Sequence, residues 1–285
     1  MRQHKISQII LGIFGIFIFF TISVTEASAS SLLSLDEQNH LRYLGFAEEV
    51  IATMTPEEYK NFSEVEPIEK PVSETILYKL KGNNKGELID GEKFSLDQGQ
   101  ALMKLDNYSL NAGGAGCTNP VFCNETNSWI SVTTSVSRVS DIEYLVNNSF
   151  VWKTNPSIVL TDMVGITYSS GFTYKNNSAL FSHKYNVGNT QNTRGADKYV
   201  PGAQGFAALF DIAGGLAGLA SNQHGYLSVR LTKANSNQLS ANIYGHYTHT
   251  TFAINPYVSI ITGDISLGFT TAENKTDPTV LYVVF

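Results

Sequence analysis

Charge is scarce in this chain of 285 residues. Asp, Glu, Lys and Arg supply 15 % of it, against about a quarter in an average soluble domain. No cluster of Lys and Arg is dense enough to follow a phosphate backbone, which excludes nucleic acid as a partner. Cysteine is nearly absent, with Cys117 and Cys123 alone, in GCTNPVFC. No HExxH, GxSxG, P-loop or calcium-loop pattern occurs, so metal hydrolysis, acyl transfer and nucleotide chemistry have no motif here, and no cofactor is implied. Beyond Gln100 only three glutamates occur, Glu125, Glu143 and Glu273. Glycosidases use two carboxylates about 5–10 Å apart, and the sequence neither pairs these three nor separates them.

What is present begins with an export pattern. Arg2, His4 and Lys5 form a basic start, and Ile9–Phe20 is an unbroken apolar run. Ala27-Ser28-Ala29 supplies the small-x-small pattern of a signal-peptidase site. A spanning helix needs roughly 20 apolar residues, so this run has the length of a signal core. Residues 1–29 read as a signal peptide, the mature chain as starting at Ser30, and the location as secreted. Membrane contact is then expected only through the uncleaved signal. In an oxidising compartment Cys117 and Cys123 read as a disulfide closing a small loop. A zinc pair fits less well, because the spacing is loose and no His or second Cys pair stands nearby.

Residues 30–63 read as an acidic helical segment. Ser30–Gln100 carries 14 acidic and 7 basic residues, a net of −7, which reads as a solvated helical surface. Gly45 can end a helix in the left-handed conformation. Val50, Ile51 and Met54 fall on one side of the next. Thr55-Pro56-Glu57-Glu58 opens a third helix, with Thr55 as N-cap, Pro56 at the first helical position and Glu58 completing a capping box. Residues 64–126 read as linker and irregular region. They start with the Pro-bearing EVEPIEKP, hold a strand-like Val72–Leu80 and a short helix near Leu96–Leu105, and end in the Cys loop.

From 127 to 285 the pattern is β. Nine strand-like stretches are separated by Asn, Gly and Pro turns: Trp129–Val139, Ile142–Trp152, Ile158–Tyr168, Ala179–Val187, Gly205–Ile212, Gly225–Lys233, Leu239–Phe252, Tyr257–Thr270 and Thr279–Phe285. In the first, apolar alternation slips once, as at a bulge. The spacing predicts a mainly β fold, an antiparallel β-sandwich of about nine strands preceded by the short helical segment. This β part is expected to fold without the helices.

Two places draw chemical interest. Asp162 sits in the otherwise apolar IVLTDMVGI, where a buried carboxylate requires a partner. It reads first as a structural hydrogen-bonding group and second as a site residue. Tyr244–His249 (YGHYTH) is the densest cluster. On a strand Tyr247 and His249 share one face, while His246 shares the other with Tyr244. His246 and His249 therefore make a poor metal pair, and no metal site is expected. The plain reading is one satisfied core His and one exposed His. The functional one makes Tyr244, His246, Tyr247, His249 and Asp162 a ligand-binding set. No catalytic set emerges.

The segments LRYLGFAEEVIATMTPEEYKNF, EYLVNNSFVWKTNPSIVLTDMVGI and ANIYGHYTHT resemble stretches of uncharacterised exported proteins of Gram-positive, spore-forming bacteria. The resemblance implies secretion and brings no activity with it. The reading is a secreted, non-enzymatic interaction protein of the extracellular space or cell wall, with ligand and oligomeric state not set by the sequence. One alternative is a membrane-active β toxin, since WISVTTSVSRVS alternates like a pore hairpin and Phe206–Ala220 is apolar and Gly-rich. Another is a cryptic extracellular hydrolase. Intact mass and N-terminal sequencing of secreted protein test the export reading. Ser30 is the expected first residue and the mass is expected two hydrogens below that of the free thiols. A full-length chain retained in the membrane as the main form would overturn it.

Overall fold

Alternation of apolar and polar residues builds most of the elements. The computed structural model describes residues 33–82, 88–110, 128–156, 160–213, 220–235, 237–250, 257–268, 273–276 and 278–285. These residues belong to a single unit, Leu32–Phe285. The expected signal, the pair Cys117 and Cys123, and the glycines at 214, 215 and 218 lie outside the described residues.

Among the described residues three short helices come first: α1 (Leu35–Tyr43), α2 (Glu48–Ile51) and α3 (Pro56–Tyr59). Strands β1 (Val72–Gly82) and β2 (Leu88–Ser95) and helix α4 (Leu96–Leu110) follow. Then come β3 (Trp129–Arg138), β4 (Glu143–Trp152), β5 (Thr161–Tyr168), β6 (Phe172–Tyr174), β7 (Leu180–Val187), β8 (Thr190–Arg194) and β9 (Lys198–Gly202). The chain continues through β10 (Gly205–Asp211), β11 (Ala220–Lys233), β12 (Ser240–Thr250), β13 (Tyr257–Ile261), β14 (Asp264–Gly268), β15 (Glu273–Lys275) and β16 (Thr279–Val284).

Fourteen of the strands form two antiparallel sheets face to face, and β13 and β14 pair separately. The larger runs β2-β1-β3-β4-β11-β7-β8 with β6 also on β11, and the smaller runs β15-β12-β5-β10-β9 with β16 on β12. The expected antiparallel sandwich with helices at the N-terminal side is what the structure shows. The strand number is higher, sixteen among the described residues, because several are three to five residues long. Tyr257–Thr270, read as one strand, is the hairpin β13–β14, turned at Gly263 with φ +76°. Since β1 and β2 pair onto β3, strands of one sheet stand on both sides of residue 127.

Inner rows from both sheets make the core. Ile76 and Tyr78, Ile130 and Val132, Val146 and Phe150 meet Val164 and Ile166, Phe206 and Phe210, Ile243 and Leu281. The apparent slip in β3 is no bulge. Its pairing with β4 runs unbroken from Ile130 to Arg138, and Thr134 occupies the inner row between Val132 and Val136. Its hydroxyl meets that of Thr279 at 2.5 Å and donates to Asn148 Oδ1 at 3.1 Å. Asn148 in turn donates to the carbonyls of Gly165 and His246, 2.8 and 2.9 Å away in the opposite sheet. A Cβ at position 245 would fall 1.7 Å from the Thr134 hydroxyl, so this seam requires glycine there.

The helices cover the outer face of the larger sheet. Both capping boxes form, Ser34 with Glu37 and Thr55 with Glu58. Each such cap contributes on the order of 1 kcal/mol. Gly45 ends α1 at φ +80°, and a Cβ there would lie 2.4 Å from that of Ser135. The Leu44 carbonyl before it accepts from Ser137 at 3.1 Å and Asn147 at 3.0 Å. Phe46 and Phe62 pack edge-on against each other and against Tyr226 of β11. Leu41, Val50 and Ile51 complete this second core with Leu145 of β4.

A buried ion pair also joins helix to sheet. The Lys184 side chain, 2 % exposed, reaches Glu58 at 2.5 Å and the Thr53 carbonyl at 2.5 Å. Ser182 donates to the other Glu58 oxygen at 2.7 Å. Burial pushes the Lys184 ammonium below its ordinary range against the pull of Glu58. Burial alone would raise the Glu58 carboxyl, but Lys184, the Thr55 N–H and Ser182 together hold it below its ordinary value.

A carboxylate with a depressed folded pKa stabilises above its unfolded value, and that stabilisation is lost as pH falls through the folded one. Glu58→Gln leaves the Lys184 charge without its partner. The expected loss is about 3 kcal/mol near neutral pH, read by chemical denaturation. The gap from wild type is expected to shrink below pH 4.5. A gap that is flat with pH would remove the ion pair from the fold's stability.

Candidate functional site

Of the residues singled out from the sequence, the structure brings three together. Asp162 faces inward near the start of β5, and Tyr247 and His249 face inward from β12 beside it. Tyr247 donates its hydroxyl proton to Asp162 at 2.5 Å. His249 Nδ1 lies 2.9 Å from Asp162 Oδ1, and the Thr250 N–H donates to the same oxygen at 3.2 Å. From the opposite sheet the Trp152 indole N–H donates to the Tyr247 oxygen at 2.9 Å, and its ring meets the His249 ring edge-on at 5.0 Å. Burial pushes the Asp162 carboxyl above its ordinary range, and the His249 ring and the donors around it act against that push.

A carboxylate–imidazole pair of this geometry can orient a tautomer and hold a proton. Here Asp162 is 0 % and His249 1 % exposed, so the pair is sealed from solvent. It links β5 to β12, and through Tyr247 and Trp152 it links the two sheets. The remaining two residues of the set are elsewhere. His246 and Tyr244 point to the outer face, where His246 Nε2 meets the Thr167 hydroxyl at 2.8 Å. The β13–β14 hairpin lies against that face, with the Gly263 N–H donating to Thr167 at 3.2 Å. Both histidines are therefore buried, His246 at 5 % exposure, which corrects the expectation that one is exposed. The five residues do not form one ligand-binding face. Glu143 is engaged by Arg230 and Lys175, each at 2.8 Å. Among the described residues no group of three His, Cys, Asp or Glu could hold a metal ion.

Two open clefts were not legible in the sequence. The first, about 570 Å³, is lined by Tyr174, Asn176, Asn177, Tyr199, Pro201 and Phe206. It lies where the turn after β6 in the larger sheet approaches the edge strand β9 of the smaller. The Tyr174 and Phe206 rings stack at 4.8 Å, and Tyr199 adjoins Phe206 at 5.7 Å. The Tyr174 oxygen accepts from the Ala179 N–H. Burial pushes the Tyr199 phenol up, with the Phe181 backbone acting against that push. Tyr174 is thus held by its polar end, while Tyr199 is 42 % exposed. Asn177 sits at φ +61° in the turn. Each half carries a local signal, a Tyr beside a turn in TYKNN and in KYVPG. Nothing local joins halves more than twenty residues apart.

The second cleft, about 560 Å³, runs between the α1–α2 connection and the outward Ser73, Thr75, Ser131 and Thr133 of β1 and β3. Most of its charges are matched: Arg42 pairs with Glu48 in two bonds of 2.8 and 2.9 Å, and Lys153 pairs with Glu49, with Lys70 also in the lining.

No family model matches the chain, and no curated protein matches it. Among solved structures it is similar to a collagen-binding domain of a Staphylococcus aureus adhesin, at 8 % identity and a TM-score of 0.28 over 50 % of this chain and 89 % of that one. It is similar to the collagen-binding domain of an Erysipelothrix rhusiopathiae surface protein, at 5 % identity and a TM-score of 0.27 over 55 % and 65 %. A pore forming protein matches at 11 % identity and a TM-score of 0.25 over 55 % and 83 %. Likenesses this distant carry no ligand or activity to this chain.

If the Asp162 cluster is a structural tie, an isosteric change within it lowers stability. Tyr247→Phe strands the Trp152 donor and leaves Asp162 Oδ2 with His249 Nδ1 alone at 3.1 Å, at an expected cost of about 1–3 kcal/mol in urea denaturation. A variant as stable as wild type would show that the cluster does not hold the sheets.

Proposed function

We propose that this protein is a secreted, non-enzymatic binding protein of the extracellular space or cell wall, and that the cleft between Tyr174 and Tyr199 receives its ligand. The observation that carries this reading is a contrast in access. The group with acid–base character, Asp162 with His249, is closed off inside the sandwich. The open cleft instead offers aromatic rings and carboxamides, which bind and orient but do not transfer protons. The export pattern of residues 1–29 supports an extracellular setting.

The rim supports the same assignment. Asn176 and Asn177 are exposed, and among the described residues no hydrogen bond engages either carboxamide. Tyrosine surface fixed at low entropic cost, next to adaptable amide groups, is the composition of recognition surfaces in general. The second cleft ranks behind it, because a ligand there would have to compete with the Arg42–Glu48 and Lys153–Glu49 pairs.

The test uses the mature chain and purified cell walls of a Gram-positive bacterium. Co-sedimentation is expected for wild type and is expected to fall when Tyr174 and Tyr199 are both changed to Ala. Turnover of ester, peptide or glycoside substrates that vanishes in Asp162→Asn would move the assignment to a hydrolase. Dye release from liposomes at micromolar protein would move it to a membrane-active toxin.

A further inference from the structure

From the chemistry of this cleft we infer that its ligand is a neutral polysaccharide, a step that rests on the cleft being the binding site. The lining residues Tyr174, Asn176, Asn177, Tyr199, Pro201 and Phe206 include no ionisable side chain that is charged at neutral pH. Two lysines adjoin the lining in sequence: Lys175 is turned to Glu143 at 2.8 Å, and Lys198 is exposed and is not among the lining residues. A polyanion would find no counter-charge in the lining, and a charged peptide would leave its charges without partners.

A sugar ring presents two kinds of surface, and the cleft has a match for each. Its axial C–H groups carry partial positive charge and pack on the negative face of an aromatic ring. Tyr199 offers such a face, backed by the Phe206 and Tyr174 rings behind it. Its hydroxyls need donors and acceptors close together. A carboxamide supplies both, and Asn176 and Asn177 place two of them side by side at the rim. A proline-rich peptide also docks on aromatic surface, but such grooves use tyrosine hydroxyls or indole N–H groups as donors to peptide carbonyls. Here the Tyr174 oxygen is taken by the Ala179 N–H, and no indole is among the lining residues. The volume, about 570 Å³, suits a few sugar units of a longer chain.

Titration calorimetry on the mature chain tests this with neutral hexasaccharides of gluco, manno, galacto and N-acetylglucosamine type. Hyaluronan hexasaccharide serves as the anionic comparison and decaproline as the peptide comparison. At least one neutral hexasaccharide is expected to bind more tightly than both comparisons. Tyr199→Ala is expected to weaken it at least tenfold, and Tyr199→Phe less than threefold. Asn177→Gly keeps the left-handed backbone, removes the carboxamide and is expected to weaken binding severalfold. It serves as the readout if Tyr199→Ala does not fold.

No binding by any neutral hexasaccharide at millimolar concentration overturns the inference. So does binding that neither Tyr199→Ala nor Asn177→Gly alters. If decaproline or hyaluronan binds instead and Tyr199→Ala abolishes it, the ligand class is wrong while the cleft remains the binding site. If wall co-sedimentation is also indifferent to both variants, the cleft itself falls.

Discussion

The carboxamide of Asn148 is the joint between the two sheets. It lies in the inner row of β4 at 0 % exposure and would be costly there without partners. It has them: two carbonyls of the opposite sheet and the Thr134 hydroxyl. An apolar contact tolerates sliding, whereas a hydrogen-bonded carboxamide accepts one position. The two carbonyls belong to Gly165 and His246, which are paired residues of β5 and β12. One side chain therefore grips both central strands of the smaller sheet at the same level. Further along the same strands, Asp162, Tyr247, His249 and Trp152 form a second grip. With β5 and β12 held at two levels, β10 and then β9 are placed by ladder pairing, and Phe206 and Tyr199 arrive opposite the turn after β6.

The outer face of the larger sheet follows the same rule with different partners. Ser135, Ser137 and Asn147 would be ordinary solvent-facing residues of a half-exposed sheet. Instead they are buried, and they receive the end of α1 at the Leu44 carbonyl. Lys184 and Ser182 do the equivalent for Glu58 at the start of α3. Polar docking of this kind fixes where the helices sit, and the rings of Phe46, Phe62 and Tyr226 then supply the apolar burial. Glu58 serves two elements at once, capping its own helix and partnering a lysine of the sheet.

Legibility in the sequence followed distance along the chain. The Thr55–Glu58 capping box, the left-handed Gly45 and the strand alternation are local, and each was readable. The placement of Tyr247 and His249 on one face follows from a period of two. Asp162 stood out because an isolated carboxylate in an apolar strand demands a partner, although the sequence could not name His249 as that partner. Other features were hidden. Thr134 looks like a break in the pattern because its justification, Thr279 and Asn148, lies on other strands. The burial of His246 depends on a hairpin that folds back over β12. The cleft depends on β6 and β9 meeting at the rim of two different sheets, and no window of sequence spans that meeting. The short strands escaped because three to five residues carry too few alternations to register.

The two grips also decide how the molecule behaves in ultraviolet light. The chain has only two tryptophans, and both indoles are sequestered. Trp129 donates to Asp106 at 2.9 Å beneath the Lys79 ammonium. Trp152 abuts the His249 ring and donates to Tyr247. Excited selectively, both indoles emit from buried, hydrogen-bonded positions, with no solvent-facing indole beside them. Trp152 stands beside an imidazole, a quencher when protonated, and across the sheet interface from Asp162. Tryptophan fluorescence in this protein is therefore a gauge of whether the two sheets remain clasped.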